Sequence, residues 1–368
     1  MVTAAGREWA GALELEVTAG GAAVRALAYP ELTGRPEPGD RVLLNVTALE
    51  MGLGTGGYAL VIAVPGRLPA SRGGPAGPGG PGRLVKARYT PLQAAVAGAE
   101  EQGSPWHEAL READDLGGMP VVVADLHSAL PAVLAGFFGE RAGGAGPGAR
   151  PGEAAASRAA YLMLDGGALP AWFSRTAAAL REAGWLAGTV TTGQAFGGDV
   201  EAVTVHSGLL AARHALGARV VVATQGPGNL GTGTRWGFSG VACGEAVNAA
   251  AVLGGRPVAS LRVSQADPRE RHRGLSHHSL TAYGRVALAR ADVVVPDLPG
   301  EFGAAVAAAA AALGRRHRLV RVGVGGLREA LAACPVPLST MGRGLEEDPA
   351  YFLAAAAAGR HAARLAAG

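Results

Sequence analysis

The chain has 368 residues, of which 49% are hydrophobic and 17% are charged, and its formal net charge is +3. This length is sufficient for a large core and two domains, and the apolar content excludes a disordered chain. The small net charge and the 5% of aromatic residues argue against a nucleic-acid partner, which usually requires a basic stripe with aromatic platforms. Lys86 is the sole lysine, so a P-loop is excluded and a Schiff-base enzyme would have to use Lys86.

The first 65 residues predict a small β domain, either barrel-like or a sandwich. Short apolar segments alternate with turns rich in glycine and proline, a pattern typical of small all-β domains. The predicted strands are residues 12–18, 22–28, 41–47 and 58–64. Residues 66–83 follow, and their proline and glycine content predicts a linker.

From residue 84 onward, strand-like and helix-like segments alternate. This alternation predicts an α/β fold with mainly parallel sheets flanked by helices. The predicted strands are residues 120–124, 158–164, 188–192, 219–223, 257–263 and 292–296, and the predicted helices are 128–136, 170–183, 203–216, 241–253, 280–288 and 301–313. The α/β domain spans residues 84–368, with room for two lobes at about 84–185 and 186–330 and for a C-terminal helix. Residues 143–156 are rich in small residues and predict a disordered loop.

No sustained apolar segment opens the chain, and the longest apolar run, residues 302–313, is shorter than the ~20 residues of a membrane helix. We therefore expect no signal peptide, no membrane partner and a cytoplasmic location. Cys243 and Cys334 have no CxxC spacing, which favours buried free thiols in a reducing compartment.

Two polar loops each follow a predicted strand. Residues 224–234 are rich in glycine, whereas residues 264–279 carry arginine and histidine. Because ligands of open parallel sheets bind outside the carboxyl ends of the strands, we expect both loops to form one site for a small anionic molecule. The candidate anion-binding residues are Gly226, Gly228, Asn229, Gly231, Thr232, Thr234, Arg269, Arg271 and Arg273, together with Gln194.

The residue types in these loops support anion binding. Glycines let the backbone approach a ligand, and successive N–H groups in such turns attract anions, although the same string is also typical of a plain turn. In an extended segment, Arg269, Arg271 and Arg273 would share one side and present their planar forks to a carboxylate or phosphate. The alternative is a solvated turn in which Asp267 and Glu270 neutralise the arginines.

The candidate catalytic residues are His277, His278, His127 and Asp125. Imidazole is the commonest acid–base group near neutral pH. Asp125 is expected to orient His127 or to cap the helix that follows it. We predict no metal site, because the chain has no HExxH-type signature and adjacent His277 and His278 point in different directions in a helix or a strand. The sequence does not identify a cofactor.

Several short motifs resemble a bacterial family known only as a domain of unknown function. They are LLN at 43–45, LGTGGY at 53–58, VKARYTP at 85–91, ADLHS at 124–128 and DGGALP at 165–170, together with the two polar loops. The likeness covers nearly the whole chain, and it implies no activity.

A more distant likeness concerns residues 89–91, 189–194 and 216–223. These segments resemble, in the same order, parts of the proprotein subunit of glycine reductase component B. That subunit forms a pyruvoyl group by cleavage at an internal cysteine. The corresponding stretch here, residues 193–199, contains no cysteine, so we expect a shared scaffold at most and no pyruvoyl cofactor.

Two classes of function remain open. One is an enzyme that acts on a small anionic substrate, and the other is a non-catalytic binding or assembly protein on a reductase-subunit-like scaffold. An enzyme should bury one histidine of the second loop beside a carboxylate, whereas a binding protein should tolerate glutamine there. The small residues of the helix predicted at 241–253 also permit a homodimer.

Overall fold

The computed structural model describes residues 1–54, 56–68, 82–142, 158–167 and 169–367. Its strands are β1 (Val2–Trp9), β2 (Ala12–Ala19), β3 (Ala22–Ala28), β4 (Leu43–Asn45), β5 (Ala59–Ala63), β6 (Leu84–Lys86), β7 (Ala94–Val96), β8 (Pro120–Val123), β9 (Ala159–Leu164), β10 (Gly188–Thr191), β11 (Val200–Glu201), β12 (Val220–Gln225), β13 (Arg256–Ser260), β14 (Val263–Ser264), β15 (Gly274–Leu275), β16 (Asp292–Asp297) and β17 (Arg318–Gly323). Its α-helices are α1 (Pro30–Thr33), α2 (Thr47–Glu50), α3 (His107–Arg111), α4 (Ala129–Ala142), α5 (Arg175–Glu182), α6 (Val205–His214), α7 (Ala242–Val252), α8 (His277–Thr281), α9 (Gly300–Ala310), α10 (Leu327–Ala332) and α11 (Pro349–Ala367).

An eight-stranded parallel sheet with the order β11-β10-β9-β12-β8-β13-β16-β17 is the centre of the described structure. Every residue of β8, β9 and β12 is buried, as expected for strands that are covered on both faces. Successive side chains point to opposite faces, so Val121 and Val123 pack in the core beneath α6, α7 and α9, whereas Val122 packs beneath α4 and α11. This confirms the predicted α/β fold.

The strand order contains a switch point at β8. Strands β9, β10 and β11 extend the sheet beyond β12, and β16 and β17 extend it beyond β13. The chain therefore crosses over β8 between β12 and β13, through α7. Because all three strands are parallel, the loops that follow them emerge at one edge of the sheet, where open α/β sheets bind their ligands.

The N-terminal strands form a separate sheet with the order β1-β2-β3-β5-β4, in which only β3 and β5 pair in parallel. Among the described residues, β1 and β4 are the outer strands of this order and do not pair with each other, so no closed barrel is formed. Two backbone hydrogen bonds still join Val2 of β1 to Gly39 and Asp40, just ahead of β4. Trp172 packs against this sheet, and its carbonyl oxygen accepts a 2.6 Å hydrogen bond from Nε1 of Trp9.

Two predicted elements differ from the structure near the second polar loop. The strand predicted at 257–263 ends at Ser260, and β14 then pairs antiparallel with β15. This short ladder closes the loop that carries the arginines. The helix predicted at 280–288 is instead α8 followed by a π-helical turn, Ala282–Val286. Residues 69–81 of the predicted linker, and the predicted disordered loop at 143–156, lie outside the described residues.

Other features of composition have structural counterparts. No described helix is both long enough and apolar enough to span a bilayer. Cys243 and Cys334 are free, and burial raises the pKa of both thiols. On α7, Gly244 lies against the carbonyl oxygen of Ala282, so part of its small-residue surface is used within the chain.

The sole lysine is a structural residue. Lys86 is fully buried, and its Nζ donates to the carbonyl oxygens of Gly193, Ala195 and Ala202 while lying 3.4 Å from Oε2 of Glu201. Burial lowers its pKa, and the Glu201 carboxylate opposes that shift. An amine so enclosed is unsuited to attack a substrate carbonyl, which argues against a Schiff-base role.

Helices α4 and α11 cross closely because glycine occupies the contact on both. A Cβ at Gly359 would overlap the carbonyl oxygen of Val133, and a Cβ at Gly136 would overlap that of Ala356. Backbone atoms cannot rotate away as side chains can. The approach of the two helices therefore depends on the missing side chains.

This contact predicts that Gly359→Ala destabilises the protein by about 1–3 kcal/mol, although alanine is the better helix former by about 1 kcal/mol. Gly325→Ala is the matched control, since a Cβ there would meet no atom within 4 Å and the backbone is not left-handed. Urea unfolding of both variants checks the prediction. A Gly359→Ala protein as stable as the control would contradict the close crossing.

Candidate functional site

The loops that follow β8, β12 and β13 surround a pocket of about 540 Å³. Its wall includes glycine-rich backbone from the loop after β12 and arginine and histidine side chains from the loop after β13. The lining residues are Gly54, Leu126, His127, Ser128, Thr176, Pro227, Gly228, Asn229, Leu230, Gly231, Gly233, Arg262, Arg269, Arg271, His272, His278, Ser339 and Met341. The structure thus brings the two polar loops to one crevice.

Asp125 holds the three loops together. Its Oδ2 accepts hydrogen bonds from Nη1 of Arg262 at 2.9 Å and from Nδ1 of His278 at 2.8 Å. Its Oδ1 accepts from Nδ2 of Asn229 at 3.1 Å, which ties down the glycine-rich loop. Gly240 leaves room for the carboxylate, because a Cβ there would overlap Oδ1.

The Asp125 carboxylate is buried and charged. Burial by itself raises its pKa, but the hydrogen bond from His278 and the charge of Arg262 outweigh burial and lower the pKa below its ordinary value. The expectation that Asp125 orients His127 or caps a helix was wrong. Its side chain points to Arg262 and His278 instead, because β13 lies beside β8 in the sheet.

Arg262 begins a network of alternating charges. Its Nη2 lies 3.6 Å from Oδ2 of Asp267, which also receives the guanidinium of Arg269. Arg343 approaches the same Asp267 oxygen at 3.5 Å and contacts Asp348 at 3.2 Å. This part of the site therefore carries little net charge, because three guanidinium groups face three carboxylates: Arg262, Arg269 and Arg343 face Asp125, Asp267 and Asp348.

The three alternating arginines of the second loop do not act as one group. Arg269 forms a two-pronged pair with Asp267, at 2.9 and 2.8 Å. Arg271 lines the pocket, and a Cβ at Gly233 would lie 3.6 Å from its Cζ. Arg273 is exposed and does not line the pocket. The segment Glu270–His272 is a 3₁₀ turn with about three residues per turn, so alternate residues do not share a side.

Three histidines cluster beside the pocket, which His272 and His278 line. Their ring centroids lie 4.5 Å apart for His277 and His278, 4.7 Å for His272 and His278, and 5.1 Å for His272 and His277. Phe238 stacks on the ring of His278 at 3.7 Å and fixes its plane. Burial and the charge of Arg262 lower the pKa of His272 to about 3, and burial, with the charge of His278, lowers the pKa of His277.

His127 lines the pocket, but both of its ring nitrogens are engaged. Nε2 contacts Oγ of Ser174 at 2.7 Å, and Nδ1 contacts the hydroxyl of Tyr161 at 3.0 Å. Burial lowers its pKa to about 4, so the ring is neutral near pH 7. A neutral imidazole with two protein partners has no free nitrogen with which to take a proton from a ligand.

The remaining predicted residues divide between the pocket and other places. Gly228 and Gly231 line it. Gly226 does not, and its missing side chain makes room for Met163. Thr232 and Thr234 are exposed, and their hydroxyls bond each other and the backbone of Gly237. Gln194 lies in another loop, where its Oε1 accepts a 3.1 Å hydrogen bond from the backbone N–H of Arg88.

Comparison with known proteins places most of the chain in one family. Residues 25–359 match a family described as protein of unknown function, DUF3866. The chain belongs to this family. Among curated proteins and among solved structures, none matches it. The comparisons do not show the likeness to the glycine reductase subunit, and the family description assigns no activity.

Among the arginines and histidines that line the pocket, Arg262 and His272 are the two that the sequence pattern did not single out. Arg262 follows β13 by two residues, at the position where a parallel sheet presents its functional groups, so strand-end position was a usable signal. His272 was hidden in a charged turn. Only the contact between that turn and α8 brings its ring against the other two histidines.

The central position of Asp125 predicts a large loss of stability in Asp125→Asn. Removing one partner of a buried ion pair costs roughly 3–5 kcal/mol, and we expect the lower end because Arg262 keeps Asp267. The depressed pKa of Asp125 makes this contribution complete above about pH 4 and makes it fade as the pH falls further. Urea unfolding at pH 7 and below pH 4 measures both effects.

The matched control is Asp297→Asn, which removes an exposed ion pair with Arg321. An exposed pair contributes at most about 1 kcal/mol. Equal losses for the two variants would show that the Asp125 contacts do not stabilise the fold.

Proposed function

We propose that the protein is an enzyme whose pocket binds a small molecule through an anionic group. The observation that carries this proposal is the state of Arg271. Among the described residues it has no carboxylate partner, whereas Arg262 and Arg269, which line the same pocket, are neutralised by Asp125 and Asp267. The charge of Arg271 is therefore available to a ligand, and a guanidinium matches the geometry of a carboxylate or phosphate.

The glycine-rich loop adds donors to this charge. Within the described part of the chain, the backbone N–H groups of Gly228 and Asn229 donate no hydrogen bond to a protein acceptor. Gly228 has a φ of 106°, a conformation that favours glycine, and it lines the pocket together with Asn229 and Arg271. A pocket wall that holds both an unpaired guanidinium and backbone N–H groups without protein acceptors is a favourable environment for an anion.

The size and lining of the pocket limit the ligand further. A volume of about 540 Å³ is within the range of small-molecule sites. Leu126, Leu230 and Met341 also line the pocket, and Leu230 and Met341 are 63% and 59% exposed. A ligand that combined one anionic group with an apolar portion would neutralise Arg271 and cover these side chains.

The environment of His278 supports an enzyme over a non-catalytic binding protein. The ring is buried, and its Nδ1 donates to the Asp125 carboxylate at 2.8 Å, which fixes the orientation of the ring and leaves Nε2 without a hydrogen-bond partner among the described residues. Holding an imidazole in this way beside a buried carboxylate orients Nε2 toward a proton or an ion, and a pocket that only bound an anion through Arg271 would not require it. A binding protein would keep its affinity in His278→Gln.

The free thiols of Cys243 and Cys334 fit a reducing compartment such as the cytoplasm.

The proposal predicts that Arg271→Ala weakens the binding of inorganic phosphate by about ten- to a hundredfold. This is the effect of losing a charged hydrogen bond worth roughly 1.5–3 kcal/mol. Isothermal titration with phosphate at constant ionic strength measures it. The fold should be unaffected, because the side chain is exposed and makes no ion pair with a described residue.

Arg273→Ala is the matched control, since Arg273 is an exposed arginine two residues away that does not line the pocket. It should bind phosphate as the wild type does. Equal affinities for the two variants, or no measurable binding by the wild type, would remove Arg271 as the anion contact and the proposed function with it.

A further inference from the structure

The histidine cluster has the geometry of a metal site. One ring nitrogen from each of His272, His277 and His278 lies within 4.8 Å of the other two. The residues come from two adjoining segments: His272 ends the 3₁₀ turn, and the other two open α8 behind the N-cap Ser276. The sequence predicted no such site, because nothing in it brings His272 against His277 and His278.

The hydrogen bonds of His272 and His278 use Nδ1 and, among the described residues, leave Nε2 of each ring free. His278 donates its Nδ1 proton to Asp125, because a carboxylate only accepts. His272 has its Nδ1 2.8 Å from Oγ of Ser276. Within the described part of the chain, Nε2 of neither ring has a hydrogen-bond partner. A metal-binding histidine commonly has this arrangement, with one nitrogen on an outer protein group and the other on the ion.

His277 supplies an independent observation. Its Nε2 is buried and has no hydrogen-bond partner among the described residues. A buried polar atom without a partner costs free energy, and folded proteins rarely leave one unexplained. The same atom lies on a ring that packs 4.5 Å from His278 and 5.1 Å from His272. An ion bound among the three rings would satisfy it.

We propose that His272, His277 and His278 bind one divalent transition-metal ion of the zinc class through their Nε2 atoms. Three imidazoles suit zinc, cobalt, nickel or copper and do not suit magnesium or calcium, which prefer oxygen ligands. Nitrogens around tetrahedral zinc are about 3.3 Å apart, so small side-chain rotations must draw the rings together on binding.

Three histidines leave an open coordination position, as catalytic zinc sites do. His272 and His278 both line the pocket, so that position would face the ligand. The metal site itself does not depend on the proposed function. Only the role of the ion as a contact for the anionic ligand, beside Arg271, rests on it.

The test uses the untagged full chain, stripped of metal with a chelator and titrated with zinc chloride in phosphate-free buffer. The wild type should bind one ion per chain. His277→Gln and His272→Gln should each weaken binding by more than the roughly 10–100-fold typical of losing an outer-shell partner. His277 is only partly buried, so its variant should fold, and circular dichroism checks this.

His206→Gln is the matched control, because His206 is an exposed histidine on α6 far along the chain from the cluster. Its zinc affinity should equal that of the wild type. Bound cobalt provides a second readout, since its visible absorption should be lost in His277→Gln and kept in His206→Gln. Absence of saturable zinc binding by the wild type would overturn the site, and so would an affinity unchanged by replacing either His277 or His272.

The outcome is separable from that of the anion proposal. Arg271→Ala should leave zinc affinity unchanged while it weakens phosphate binding. If zinc binding fails and the difference between Arg271→Ala and Arg273→Ala persists, only the metal site is wrong. If zinc binds and the two arginine variants have equal phosphate affinities, the metal site is supported and Arg271 is not the anion contact.

Discussion

The arrangement of this site depends on the buried carboxylate of Asp125. It accepts hydrogen bonds from Arg262, His278 and Asn229, which belong to the loops after two different strands. A buried carboxylate is stable only when it is paired and hydrogen-bonded, so the fold needs these three partners to keep Asp125 charged in the interior. The carboxylate therefore fixes the glycine-rich loop and the histidine-bearing helix relative to the sheet.

The strand order of the sheet brings the partners of Asp125 within its reach. Because β8 lies between β12 and β13, the residue two positions beyond β8 is within reach of both neighbouring loops. If β8 did not lie between β12 and β13, at least one of these loops would be separated from Asp125 by the width of a strand or more. The strand order and the polar contacts thus support one site: topology brings the loops near each other, and Asp125 holds them in register.

The balance of charge in the pocket explains why one arginine matters more than its neighbours. One network of ion pairs joins Arg262, Arg269 and Arg343 to Asp125, Asp267 and Asp348. These carboxylates neutralise the three guanidinium groups, and the ion pairs hold the loop in place. Arg271 stands outside that network, at the surface of the same wall. A count of the three arginines in the loop overestimates the positive charge offered to a ligand, because Arg269 is paired with Asp267 and Arg273 does not line the pocket.

The sequence by itself determined the periodic features of this protein. Buried runs such as residues 120–123 and 220–225 specify strands of a parallel sheet, and the polar segments that follow them mark the ligand-binding edge. Local patterns also located His278 and Asp125 as candidates. These patterns could not show that the two side chains contact each other, since 153 residues separate them and nothing local encodes that contact.

Only the tertiary structure decided which polar groups meet. It gave Asp125 the partners Arg262 and His278 in place of His127, removed Arg273 from the pocket through a 3₁₀ turn, and brought His272 against His277. It also showed that β1 and β4 of the N-terminal sheet do not pair into a closed barrel, because edge pairing depends on long-range register and not on strand propensity. Propensity and periodicity act over a few residues, whereas these outcomes depend on contacts across the whole sheet.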